Sequence, residues 1–125
     1  MRGKVIALGT LLLAVPLFAH HGGTSLYDTS KDLTAEATVS EFQWTNPHIQ
    51  IGVDAKENNG KVKHWLLEAP SPPVLVNLGW NRKSLQPGDV VKVTFNPAKS
   101  GSNVGSLLKL VKADGSELVG HTKQY

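Results

Sequence analysis

Leu33, Ala35, Ala37 and Val39 take every second position in an otherwise polar run, and the alternation resumes one residue out of phase at Phe42 and Trp44. A period of two belongs to a strand with one face buried, and a slip of one residue within it predicts a bulge. Asn46-Pro47 interrupts the pattern. Ile49, Ile51 and Val53 then share the inner face of a second strand, which places His48, Gln50 and Gly52 on the other side. Asn58-Asn59-Gly60 predicts a hairpin turn of the kind that needs positive φ, with Lys61 to Glu68 returning as a third strand. This strand is two-sided, with Val62, His64, Leu66 and Glu68 against Lys63, Trp65 and Leu67. Alternation therefore leaves its core face open.

Beyond it, Ser71 suits a helix cap, Pro72 a first turn and Gly79 an end, while Val74, Leu75 and Leu78 make a short apolar stripe. One helix of about two turns is expected. Pro87-Gly88-Asp89 turns the chain into a fourth strand through Val91, Val93 and Phe95. Asn96 to Gly105 reads as a polar loop, Leu107 to Ala113 as a fifth strand, and Asp114-Gly115 as a turn into a short tail strand around Leu118 and Val119. Three strands, a short helix and two strands is the element order of an OB-like fold: all-β, a small five-stranded Greek-key barrel with its helix between strands 3 and 4. Another small barrel or sandwich fits the same spacing.

The first 19 residues follow a different rule. Arg2 and Lys4 precede an uncharged apolar run, Val5 to Phe18, and the segment ends on the small residue Ala19, the pattern of a signal peptide. A bilayer-spanning helix needs about 20 apolar residues, so this run predicts cleavage after Ala19 rather than an anchor. The expected mature chain, 20–125, is one domain, periplasmic or secreted, without a stable membrane anchor.

Cleavage alters the charge. The full chain has 13 Lys+Arg against 10 Asp+Glu, a net +3; without Arg2 and Lys4, 11 basic residues face 10 acidic ones, leaving +1. No basic cluster remains to neutralise a run of phosphates, which argues against a nucleic-acid partner. The chain has no cysteine. Thiol redox chemistry, disulfides and lipoprotein anchoring are thereby excluded.

Candidate chemistry rests on histidine. Cleavage makes His20 the first residue, so an α-amine and an imidazole come from one position, with His21 beside it. His48, just after the Asn-Pro turn and opposite Ile49 in phase, is expected to point outward at a strand end. Together His20, His21 and His48 form a nitrogen-rich set that suits copper(II) first and zinc second. Each has a plainer role open to it: a solvated chain end for the pair, a loop-closing hydrogen bond for His48. Asp28 and Glu68 are possible acidic additions. His64 reads as a half-buried cross-strand partner and His121 as a solvated tail residue. A second binding mode uses a face carrying Trp44, Gln50, Trp80 and Glu68 for an oligosaccharide or peptide, although the tryptophans equally fit the core. No nucleophile–base order, phosphate loop or metalloprotease motif occurs, so a non-enzymatic binding protein is expected. An oxidative copper enzyme with a terminal histidine brace is the less favoured alternative.

The residues His20-His21, Tyr27-Asp28, Glu41-Phe42-Gln43-Trp44-Thr45-Asn46-Pro47-His48, Trp65 with Glu68, Gly79-Trp80, Pro87-Gly88-Asp89 and Asp114-Gly115 together resemble the domain-of-unknown-function family 6152. The resemblance spans the mature chain and is most specific at Asn46-Pro47-His48. It implies an exported bacterial protein and assigns no activity. The family's His-His-Ser-Phe start reads His20-His21-Gly22-Gly23 here, keeping both imidazoles and losing the aromatic.

Overall fold

The computed structural model describes residues 25–122. The expected cleavage site and the His20-His21 pair lie outside these residues. Within them the elements run β1 (Leu33–Gln43), β2 (Ile49–Lys56), β3 (Val62–Ala69), α1 (Pro72–Asn77), β4 (Val90–Pro97), β5 (Val104–Lys112) and β6 (Glu117–Val119). The strands hydrogen-bond in the order β3-β2-β1-β4-β5-β6, and an additional pairing of β3 with β5 closes five of them into a barrel. All neighbours are antiparallel except the closing pair, in which Leu66, Leu67 and Glu68 run parallel to Val104, Gly105 and Ser106. This is the OB-type Greek-key barrel, with its helix between β3 and β4.

The out-of-phase alternation in β1 is a bulge. Val39 pairs with Val53 and Glu41 with Gly52, so Ser40 is the extra residue that lets both Val39 and Phe42 turn toward the core. Ile49, Ile51 and Val53 are fully buried, as their shared phase requires. The core face of β3 is that of Trp65, Leu67 and Ala69, leaving Val62 65% exposed and His64 on the surface. Trp65 packs on Phe95, ring centroids 4.7 Å apart, beneath the ammonium of Lys63.

Three details differ from the alternation pattern. β5 starts at Val104 rather than Leu107, because Val104–Ser106 carry the closing pairing with β3. A glycine is needed there: a Cβ on Gly105 would stand 2.5 Å from Phe95 Cδ2. Asn96, expected in a loop, lies in β4 and is buried, its amide donating to the Lys31 carbonyl and the Asp32 carboxylate. Ser71 occupies the N-cap position with extended backbone, yet its hydroxyl caps nothing; Pro73, at the second helical position, lacks one of the N–H groups a cap would serve. At the other end Gly79 takes φ +92°, and Trp80 N–H closes on the Leu75 carbonyl.

Candidate functional site

Three side chains from distant parts of the chain meet outside the barrel, at the end where β2 begins and β3 finishes. Glu68 is their centre. It points outward because its neighbours Leu67 and Ala69 point in, and it lies between Gln50 of β2 and Ser106 of β5 in register. Its Oε2 accepts a 2.7 Å hydrogen bond from the Tyr27 hydroxyl. Its Oε1 lies 3.2 Å from His48 Nδ1, in ion-pair range.

Each partner is held by its own local structure. Tyr27 precedes β1 and forms an isolated bridge with Ala98, so the β4–β5 loop fixes its backbone. Burial, reinforced by the hydrogen bond and negative charge of Glu68, pushes the Tyr27 phenol well above its ordinary pKa. His48 ends the β1–β2 loop, where the Asn46–Pro47 bond is cis and Thr45 Oγ1 donates to the His48 carbonyl at 3.1 Å. Its side chain is 48% exposed, and its Nε2 makes no hydrogen bond among the described residues.

His121 overturns the expectation of a solvated tail residue. After β6 the chain folds back along β5, with Gly120 N–H on the Leu108 carbonyl and His121 N–H on the Leu107 carbonyl at 2.8 and 2.7 Å. A Cβ on Gly120 would run into the Leu107 carbonyl, so only glycine permits this approach. The imidazole is half-buried. Burial lowers its pKa, with the positive charge of a protonated His48 adding to the effect and the carboxylate of Glu68 opposing it. Nothing in the local pattern Gly120-His121-Thr122 signals this; the partners are carbonyls of β5, more than ten residues away.

The other candidates are dispersed. Trp80 is 2% exposed, and its indole N–H donates to the Val119 carbonyl at 2.8 Å, so it belongs to the core and offers no open ring face. Trp44 is half-buried, edge-on to Phe42 with centroids 6.0 Å apart. Gln50 is half-buried opposite Glu68. Asp28 is used by its own turn, accepting from the Ser30 amide and hydroxyl, contacts that hold its carboxyl below the usual range. His64 pairs with Asp54 across the strands at 2.7 Å, the cross-strand role expected of it, but it is exposed rather than half-buried because β3 turns Trp65 and Leu67 to the core. Among the described residues no three His, Cys, Asp or Glu side chains stand close enough to hold a metal ion unaided.

The fold and this outward cluster define a small OB-type barrel of the kind that presents side chains on its strand 2–3 face. The chain belongs to a family of unknown function (DUF6152), whose model matches residues 9–107. Among solved structures it is similar to the crystal structure of Rim1, a mitochondrial single-stranded DNA-binding protein from S. cerevisiae. The identity is 13% over 73% of this chain and 97% of that one, with a TM-score of 0.48. Comparison with curated proteins finds no match.

Proposed function

We propose that the protein is an exported, non-enzymatic binding protein that takes a transition-metal ion, copper(II) before zinc, at His48 together with His20 and His21. The observation that carries this reading is the 3.2 Å contact of His48 Nδ1 with Glu68 Oε1. A ligating histidine characteristically gives its second ring nitrogen to a carboxylate, which fixes the tautomer and leaves the first nitrogen for the metal. Glu68 is in turn steadied by the Tyr27 hydroxyl. This would leave an imidazole with Nδ1 facing the carboxylate and Nε2 without a hydrogen bond to the described residues.

Position supports the same reading. OB-type barrels bind on the outer face of strands 2 and 3 and the adjoining loops, which is where His48, Gln50 and Glu68 lie. His21 precedes Tyr27 by six positions, a reach of at most about 22 Å at 3.6 Å per residue, a tether short enough to let the pair come to the cluster. That tether matters because the described residues supply only part of a coordination shell. The outer face also disfavours nucleic acid: Gln50, Gly52 and Asp54 of β2 with His64, Leu66 and Glu68 of β3 bring two carboxylates and no ammonium group.

The test compares four proteins by competitive copper titration: one beginning at His20, the same chain with one residue added before His20, His48→Ala and Glu68→Gln. The first is expected to bind copper(II) more tightly than zinc, following the general order for nitrogen ligands. The extended protein and His48→Ala should lose at least about tenfold in affinity, and Glu68→Gln about 10- to 100-fold, the usual cost of losing such a supporting carboxylate. Equal binding by the extended and His48→Ala proteins would refute the site.

A further inference from the structure

The ladder between β1 and β2 stops before β1 does. Its last pair is Ala37 with Ala55, while β1 continues back to Leu33, paired over that stretch with β4 alone among the described residues. β2 turns away with β3 instead, Lys56 against Val62 and the Asn58-Asn59-Gly60 turn beyond. Where the two edges part, small side chains at Ala35 and Ala55 leave a cleft of about 520 Å³. Clefts of roughly 300–1,000 Å³ are the size that small organic ligands occupy. This one lies at the end of the barrel away from Glu68, where β2 finishes and β3 begins.

The side chains around it divide by chemistry. Ala55, Trp65 and Phe95 are buried and form an apolar, largely aromatic floor. Lys63 stands directly opposite Ala55 and in phase with Trp65 and Leu67, so its side chain starts on the core face of β3. A lysine in that phase has to carry its ammonium out over the barrel mouth, and Lys63 does so across the Trp65 ring, 4.8 Å from the centroid and half-buried. The ring returns part of the attraction the ammonium loses on leaving water and none of its hydrogen bonds. Lys56 adds a second ammonium at the rim. Among the described residues neither lysine forms an ion pair; Glu57, the carboxylate that also lines the cleft, engages neither. An aromatic floor beside a half-desolvated, unpaired cation is matched by a flat apolar body that ends in a carboxylate, whose charge-assisted hydrogen bond is stronger where water is partly excluded.

We propose that this cleft is a binding site, separate from the His48 cluster, for a small aromatic carboxylate held by Lys63, with its ring against Trp65 and Ala35. The experiment uses protein expressed from the full chain, without added metal, and titrates it with 2-naphthoate and with the neutral 2-naphthamide while following the tryptophan indole N–H resonances. Naphthoate is expected to bind with a dissociation constant of about 0.1–1 mM, the ordinary efficiency for a ligand of that size. It should shift Trp65 and leave Trp44, at the other end of the barrel, and Trp80, tied to Val119, in place. Naphthamide should bind at least tenfold more weakly. Lys63→Met keeps the apolar stem over the ring and removes the charge, and should weaken naphthoate at least tenfold without affecting naphthamide. Ala35→Leu narrows the cleft and should weaken both ligands, whereas Lys92→Met, a surface lysine of β4 outside the cleft, should change neither. Equal ligand-free melting temperatures show that the variants fold; if Ala35→Leu does not, Lys63→Met decides. Equal affinity for naphthoate and naphthamide, or full naphthoate binding by Lys63→Met, would overturn the proposal. Shifts at Trp44 in place of Trp65, or no binding of naphthoate in the millimolar range, would overturn it as well.

Discussion

Glu68 shows how much one outward carboxylate organises. Its orientation was readable once β3 was known to bury Trp65 and Leu67, and the outward place of His48 followed from the alternation of Ile49, Ile51 and Val53. Tyr27 was not readable in the same way: it lies outside any strand, and its partner is 41 positions away. His121 escaped for a similar reason, since its immediate neighbours in sequence carry no alternation and its backbone is held by Leu107 of β5. The Tyr27 contact makes a measurable prediction. Its folded pKa is raised, so the fold keeps the phenolic proton: the contribution to stability is complete below about pH 10 and is lost as pH rises from there through the folded value. In metal-free protein, the tyrosinate absorbance that disappears in Tyr27→Phe is expected to develop well above pH 10. Glu68→Gln should bring that midpoint down, because it removes the carboxylate's charge and its acceptance of the phenolic proton, while burial of the ring remains. A midpoint unaffected by Glu68→Gln would show that the 2.7 Å hydrogen bond does not govern the phenol.

At the level of elements, local rules worked where the competing forces were local. The phase slip between Val39 and Phe42 became a bulge, and Gly79 ended the helix in the left-handed region. They failed where tertiary pairing decided the outcome, as in β5, where Gly105 and Ser106 follow Val104 and pair with β3 rather than advertise themselves by alternation. Ser71 is the instructive failure. A serine before a helix normally contributes about 1 kcal/mol through its hydroxyl, but here the hydroxyl makes no cap bond and Pro72 already occupies the first turn. Ser71→Ala is therefore expected to change stability by less than about 0.5 kcal/mol in chemical denaturation. A loss near the usual cap value would mean the hydroxyl serves the helix after all.

For the molecule as a whole, the order of strands and helix was enough to name the barrel, while the parallel β3–β5 contact that closes it was not, because nothing in either strand marks its partner. Closure depends on the absence of a side chain at Gly105, where a Cβ would press on Phe95 and come within 3.1 Å of both the Asn96 carbonyl and Leu67. Gly105→Ala is expected to destabilise the barrel by about 1–3 kcal/mol, the usual range for overpacking. For a domain this size that lowers the melting temperature by roughly 4–8 °C per kcal/mol; an unchanged temperature would show that the seam yields freely. The same seam takes Tyr27, from near one end of the described chain, onto Glu68, and the tail at the other end onto β5, where His121 N–H closes on the Leu107 carbonyl. A ligand gripping both ends would turn nearly the whole polypeptide into one closed loop, and a constraint of that length lowers the entropy of the unfolded chain by an amount worth roughly 4–5 kcal/mol for loops of about 100 residues. In a protein with no cysteine, the cluster at Glu68 occupies the place that a terminal cross-link would fill.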